Sequence, residues 1–314
     1  MSSNLIDCSY EPFSREPEYI EVNRRFLKGL GLDASGRILD LACGTGTLTE
    51  LLLRETNGRT RSRGNEREEA PLDVIALDLS AGSLELARKR LLEITLVDWP
   101  NQLPSSVMEH EKRIVDFVQA SADCLPLVDR SVQAVIMGNA IQLLDDKSKF
   151  LDEVDRVLSP GGVFAFNTSF YAGTFPSGTE HFYVRWVQDA VSYLQQKDQE
   201  LKRSGLPGIS RRRGLAKPAF SQRWLSRGEY ERLLEQHGFK IKSVKESTVL
   251  LTQHSFETIG SYAGLASVLL SGYPVDSACE ALEKSAGPAL DAVGMEVVPR
   301  YWIEFVASKR MREH

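Results

Sequence analysis

The stretch that most constrains what this chain can fold into is Arg37-Ile-Leu-Asp-Leu-Ala-Cys-Gly-Thr-Gly46. Ile38, Leu39 and Leu41 form a short apolar run bounded by turn residues, which predicts a strand buried on both faces of a parallel sheet. Asp40 interrupts that strand near its carboxyl end. A carboxylate buried there is costly unless it meets backbone N–H groups or a cation, so a specific partner is expected. Gly44 and Gly46 predict a sharp turn that a ligand approaches with no Cβ in the way. A helix is expected from Thr47 to Leu53, its N-terminal amides favouring an anion.

A second apolar strand, Val74-Ile-Ala-Leu-Asp-Leu-Ser80, also ends in an acid and leads into a helix from Ala81 to about Leu92. An acid at the tip of the second strand is where doubly wound α/β folds hold the ribose hydroxyls of a nucleotide. Asp78 stands 32 residues past Gly46, against the roughly 20 usual for such folds. The polar run from Glu55 to Glu69 accounts for the excess as an inserted loop. Further strands are expected at Val115 to Gln119, Val132 to Gly138 and Val163 to Asn167. Between the last two lies an amphipathic helix, Lys149 to Leu158, stopped by Ser159-Pro-Gly-Gly162.

Taken in series, these segments resemble the class I S-adenosylmethionine (SAM)-dependent methyltransferases from Ile38 to Phe166. Asp40-Leu-Ala-Cys-Gly-Thr-Gly46 is similar to the family's first motif, and Asp78 to its ribose-binding acid. Ala120-Ser-Ala-Asp-Cys-Leu-Pro126 is similar to its adenine-contacting loop, and Leu158-Ser-Pro-Gly-Gly162 to the turn before strand five. The resemblance implies a doubly wound, mostly parallel seven-stranded sheet of Rossmann-like α/β type. It implies SAM as methyl donor, no metal, and a cofactor site drawn from Asp40, Ala42, Gly44, Gly46, Asp78, Leu79, Ser121, Ala122, Asp123 and Asn139. Asn139 and Ala140 would face the methionine part. The family's adenine-binding acid is replaced by Ser121, so either the Ser121 hydroxyl or Asp123 accepts from the adenine amino group. Gln142 stands where the family commonly has histidine. An NAD dehydrogenase fits less well, because Thr49 occupies the third-glycine position and Asp40 has no role there.

The rest of the chain bounds the function. A formal charge of −5 disfavours a nucleic-acid partner, which calls for a basic surface. No apolar run approaches the ~18 residues of a membrane span, and Met1-Ser-Ser-Asn is unlike a signal peptide. Cys8, Cys43, Cys124 and Cys279 are scattered, as in a chain kept in a reducing cytoplasm.

We expect one domain over residues 1–314: a helical lead-in (1–32), a SAM-binding core (33–167), and lid insertions after strands five (168–227) and six (252–295). The lead-in holds a helix from Tyr19 to Leu30, and in the resembled family such a segment often closes over the SAM pocket. Arg54 to Glu69 and Leu96 to Arg113 read as polar connections. Ser226 to Gly238 reads as a capped helix, with Glu229 three residues past the Ser226 cap. Phe239 to Leu250 and Tyr301 to Ala307 supply the last two strands. Aromatics from Phe170 to Trp186 either line a pocket for a partly apolar acceptor or pack the lid. Arg211-Arg-Arg213 offers either an acidic-group site or a solvated face. His181 and His254, near the roots of the two insertions, are the candidate catalytic bases for a hydroxyl or carbon acceptor, whereas a carboxylate acceptor needs none. The expected function is small-molecule methylation at oxygen, carbon or carboxylate. The alternative is a non-catalytic partner subunit of the same fold.

Overall fold

The computed structural model describes residues 9–32, 36–62, 73–98, 115–212 and 223–310. Seven strands form one sheet: β1 Arg37–Leu41, β2 Asp73–Asp78, β3 Val115–Gln119, β4 Val132–Gly138, β5 Leu158–Thr168, β6 Phe239–Thr252 and β7 Val297–Lys309. Their order is β3-β2-β1-β4-β5-β7-β6. β1 runs parallel to β2 and β4, β2 to β3, and β4 to β5, while β7 is antiparallel to β5 with Phe166 opposite Phe305. This is the doubly wound, mostly parallel sheet that the sequence predicts. The strand order reverses between β1 and β4, and ligands of such sheets bind beyond the carboxyl ends of the strands at that reversal.

The helices are α1 Glu11–Ser14, α2 Pro17–Leu30, α3 Thr47–Ser62, α4 Ala81–Asp98, α5 Lys147–Val157, α6 Glu180–Arg203, α7 Arg227–Gln236, α8 Gln253–Gly260, α9 Ala263–Leu269 and α10 Val275–Val293. The chain divides into two compact units. The first, Ile20–Tyr171, Leu225–Glu246 and Ile303–His314, holds most of the sheet. One side of its core joins Phe26 and Leu27 of α2 and Leu51 and Leu52 of α3 to Ile38, Val74, Ile136 and Ala165 of the strands. Another part is aromatic: Phe166 stacks on Phe305 at 4.9 Å, with Tyr230 and Phe164 against them. Each such side chain contributes about 1.5–3 kcal/mol on burial.

The second unit is Met1–Tyr19, Ala172–Trp224 and Ser247–Trp302, so the first part of the lead-in groups with both insertions. Phe182 and Trp186 of α6 pack with Phe256 of α8, and the Trp186 indole donates to the Leu282 carbonyl of α10 at 2.8 Å. Tyr10 packs on Tyr19 and Tyr262, and Tyr19 on Trp302. Among the described residues no helix is long and apolar enough to cross a membrane.

Several expected boundaries move. The α3 helix continues past Leu53 to Ser62, so the first part of the predicted Arg54–Glu69 loop is helical. Arg54 and Glu55 are good helix formers, and each is tied down: Arg54 to Glu50 at 3.1 Å, Glu55 to Arg24 at 3.6 Å and Lys28 at 3.7 Å. The remainder of that loop, 63–69, lies outside the described residues. α4 likewise runs to Asp98, taking the start of the predicted Leu96–Arg113 connection, whose residues 99–113 lie outside the described ones. Ser159-Pro-Gly-Gly162 is a bulge within β5 rather than a turn before it: Val132 pairs with Leu158, but Ala134 pairs with Val163. The Ser226 capping box on α7 forms as the spacing predicts.

Candidate functional site

The turn after β1 is built from backbone geometry. Ala42, Gly44 and Gly46 have φ of 57°, 54° and 83°. For alanine this left-handed conformation costs about 1–2 kcal/mol. The two glycines serve different ends. A Cβ on Gly46 would stand 3.0 Å from Ala87 Cβ, so its absence lets α4 pack closely, whereas a Cβ on Gly44 would meet nothing within 4 Å. The Cys43 N–H donates to Leu77 O at 3.0 Å, and the Gly44 N–H to Asp78 Oδ2 at 2.8 Å, fastening the turn to the end of β2. Buried Arg90 of α4 donates to Thr45 O at 3.2 Å and to the Thr47 hydroxyl, and its Nε lies 3.1 Å from Glu50. Sequence patterns gave no signal for Arg90.

Asp40 is fully buried. Thr49 of α3 is its partner: the hydroxyl donates to Oδ2 at 2.5 Å, and the Thr49 backbone N–H also favours the carboxylate. Thr49, which breaks the dehydrogenase pattern, is thus what Asp40 requires. Asp40 Oδ1 is buried with no hydrogen-bond partner among the described residues. Burial, reinforced by the charge of Asp78, pushes the Asp40 pKa up to about 7 against the Thr49 bonds. An orphaned acid of this kind suits a cationic ligand.

Asp78 also accepts the Ser80 N–H on Oδ1 at 2.8 Å, and Leu79 beside it is 70% exposed. Beyond β3, the Ser121 hydroxyl donates to Asp123 Oδ1 at 2.5 Å, and Lys149 Nζ lies 3.4 Å from Asp123 Oδ2. The Ser121 bond, with help from Lys149, holds the Asp123 carboxyl below its ordinary range. With its O–H directed at Asp123, the Ser121 oxygen still has lone pairs to accept a bond, polarised by that contact. The polar face of α5 braces the next residues: Leu125 N–H donates to Glu153 at 2.7 Å, and Arg156 donates to Leu125 O and Leu127 O at 2.9 and 2.7 Å.

At the end of β4, Asn139 has φ 49° and is held by side chains from far along the chain. Its N–H donates to Asn167 O and Oδ1, both at 3.0 Å, and its Oδ1 accepts the Ser169 N–H at 2.9 Å. Asn167 Nδ2 donates to Asn23 Oδ1 of α2 at 2.9 Å. Gln142 donates to Asn139 O at 2.7 Å and accepts from the Thr168 hydroxyl at 2.9 Å. All six side chains are buried. The sequence reading found Asn139 but none of its supports.

In the second unit, His181 is exposed on the first turn of α6. His254 is 70% exposed, with Nε2 3.3 Å from Glu16 and Nδ1 3.4 Å from Glu257. Phe182 and Trp186 are interior packing residues. Arg211 is exposed, donates to Ser271 O at 3.1 Å and lies over the Tyr273 ring; Arg213 lies outside the described residues.

A family model described as a methyltransferase domain matches residues 39–166, the stretch from β1 to β5. The chain is 31% identical over 142 residues to the ubiquinone/menaquinone biosynthesis C-methyltransferase UbiE of Legionella pneumophila strain Philadelphia 1, covering 44% of this chain and 46% of that protein. It is 29% identical over 139 residues to the demethylmenaquinone methyltransferase of Renibacterium salmoninarum, covering 44% of each. The chain thus spans a little under half the length of these curated relatives. Among solved structures, phosphoethanolamine N-methyltransferase 2 of Haemonchus contortus in complex with SAM aligns with a TM-score of 0.50 at 15% identity, covering 92% of this chain and 52% of that one, a likeness of fold. With the glycine turn, the acid at the tip of β2 and the strand order all in place, residues 39–166 match a methyltransferase domain in both sequence and fold.

Proposed function

We propose that this chain transfers a methyl group from SAM to a partly apolar small molecule. One observation carries the reading: the Asp78 carboxylate and the open Gly44 backbone stand together at the strand-order reversal, beside a buried acid with an unpartnered oxygen. Asp78 would hold the ribose hydroxyls and Leu79 would cover the base, with Ser121 accepting from the adenine amino group and the Ala122 N–H facing the ring. Asp40 in its ionised form would balance the cofactor's positive charge through the ordered turn. SAM itself supplies an electrophilic methyl on sulfonium. What remains for the protein is to align the acceptor and exclude water, which is worth about 7–11 kcal/mol.

We assign acceptor selection to the second unit, whose chain leaves the sheet after β5 and β6. The name of the Legionella relative specifies C-methylation in ubiquinone and menaquinone biosynthesis, and a carbon acceptor calls for a base. Both histidines are exposed, but both nitrogens of His254 are engaged by carboxylates, so His181 is the stronger candidate. Calorimetric titration with SAM, followed by label transfer from methyl-labelled SAM into metabolite extracts, tests the whole reading. No heat with micromolar protein would remove it in favour of a partner subunit. Binding and transfer that His181→Ala leaves unaltered would remove the base.

A further inference from the structure

Buried side-chain amides add to the main-chain bond from the Asn139 N–H to Asn167 O at 3.0 Å, and they converge on that one backbone position. Asn139 ends β4, the strand beside β1 at the reversal. With Asp78 at the tip of β2 taking the ribose, a bound SAM places its methionine end two strands along, over β4, about 10 Å away. Asn139 there adopts a left-handed backbone that a non-glycine residue keeps only when its surroundings over-determine it. Those surroundings form a relay: Asn23 accepts from Asn167, and Asn167 accepts the Asn139 N–H. Asn23 is 144 residues from Asn167 and comes from the helix that precedes the whole cofactor motif. It is 1% exposed.

We infer that Asn23 is a positioning residue for the methionine end of SAM, acting through Asn167 on the Asn139 turn. This rests on the reading of the site as a SAM site. The Asn167 amide has one orientation that serves both neighbours, oxygen toward Asn139 and nitrogen toward Asn23. Removing the Asn23 acceptor frees that amide to rotate and leaves the Asn139 N–H only its main-chain bond to Asn167 O, which slackens the turn, while Asp78 and the loop after β3 keep their own partners.

The test compares two probes on the full chain: SAM, and 5′-methylthioadenosine, which has the nucleoside but no amino-acid end. Asn23→Leu should weaken SAM about tenfold and leave 5′-methylthioadenosine within about twofold; Asn23→Asp, which retains an acceptor, should stay near wild type for both. Should the leucine variant fail to fold by circular dichroism, Asn23→Ser, a smaller change that also breaks the bond, takes its place. Equal weakening of both probes would show a merely structural role and overturn the proposal, as would unaltered SAM affinity. Wild-type protein that binds neither probe would instead remove the SAM reading itself.

Discussion

The turns after β1 and β4 stand side by side at the centre of the sheet, and each ends its strand on a left-handed residue that is not glycine, Ala42 at 57° and Asn139 at 49°. They are stabilised in opposite ways. The β1 turn relies first on residue types, two glycines and a Thr49 hydroxyl nine residues from the acid it satisfies, with Asp78 and Arg90 fastening it from 34 and 45 residues away. The β4 turn relies on Asn167, 28 residues away, which is itself held by Asn23, 144 residues from it. One turn is conformationally permitted by its residue types; the other is imposed by its neighbours. The first can be expected to fail by sterics and the second by loss of hydrogen bonds.

The largest effect should come from crowding the first turn. Gly46→Val places a branched side chain at φ 83° against Ala87, and the strain and overpacking together should cost about 3–5 kcal/mol. A chemical-denaturation midpoint close to wild type would show that α4 can move aside and that the turn is not sterically set.

Next in size is Asn139→Gly. Glycine relieves the backbone strain but leaves the buried Ser169 N–H without its acceptor, a cost of about 1–3 kcal/mol per donor. The net result should be destabilisation. A more stable variant would mean that strain, not the relay, dominates this turn, which would erase the contrast.

Ionisation of Asp40 should give a graded effect, spread over several pH units rather than concentrated in one substitution. Its pKa rises from an ordinary 3.8 to about 7 on folding, so between those values the folded chain holds a proton that the unfolded chain has lost. Stability of the ligand-free protein should therefore fall as pH rises from about 4 to 7 and level off above. A cationic ligand favours the ionised acid, so SAM should bind more tightly, and raise the melting temperature more, at pH 8 than at pH 6. A ligand shift of equal size at both would detach Asp40 from binding. No such trend is expected from the uncharged amides of the β4 turn.

The smallest effect, and the sharpest for the comparison, is Ala42→Gly. Only strain is removed there, so stability should rise by about 0.5–1 kcal/mol, the left-handed penalty less the entropy that glycine costs. Gain at position 42 and loss at 139 from the same substitution would establish the difference between the turns. Loss at both would make them alike.

How much could be read in advance follows the same division. The β1 and β2 strands, Gly44 and Gly46, Asp78, and the Ser226–Glu229 capping box were all legible, because each is a local demand that admits few residue types. The α3 continuation was missed because charge-rich helices and solvated loops have the same composition, and its Glu55 tie runs to α2. Pro-Gly-Gly at 160–162 was read as a turn, since a bulge uses the same residues and only the register of β4 against β5 separates the two. The supporting contacts of Asn23, Asn167, Arg90, Glu153 and Arg156 have no signature in the sequence. In sequence these residues are ordinary polar side chains on helices or strands.

The sequence alone therefore determined that a strand ending in Asp40 would lead through a glycine turn into a helix, with a second acid one strand along, because backbone conformation and short-range hydrogen bonds restrict residue type at known spacings. Only the tertiary structure decided that Thr49 would satisfy Asp40 by one oxygen and leave the other without a partner among the described residues, that α5 would brace the loop after β3, and that an amide on α2 would bond Asn167 beside the turn after β4. A buried polar group needs some partner of the right sign, and any segment the fold brings within 3 Å can provide it. Sequence restricts the need; packing chooses the supplier.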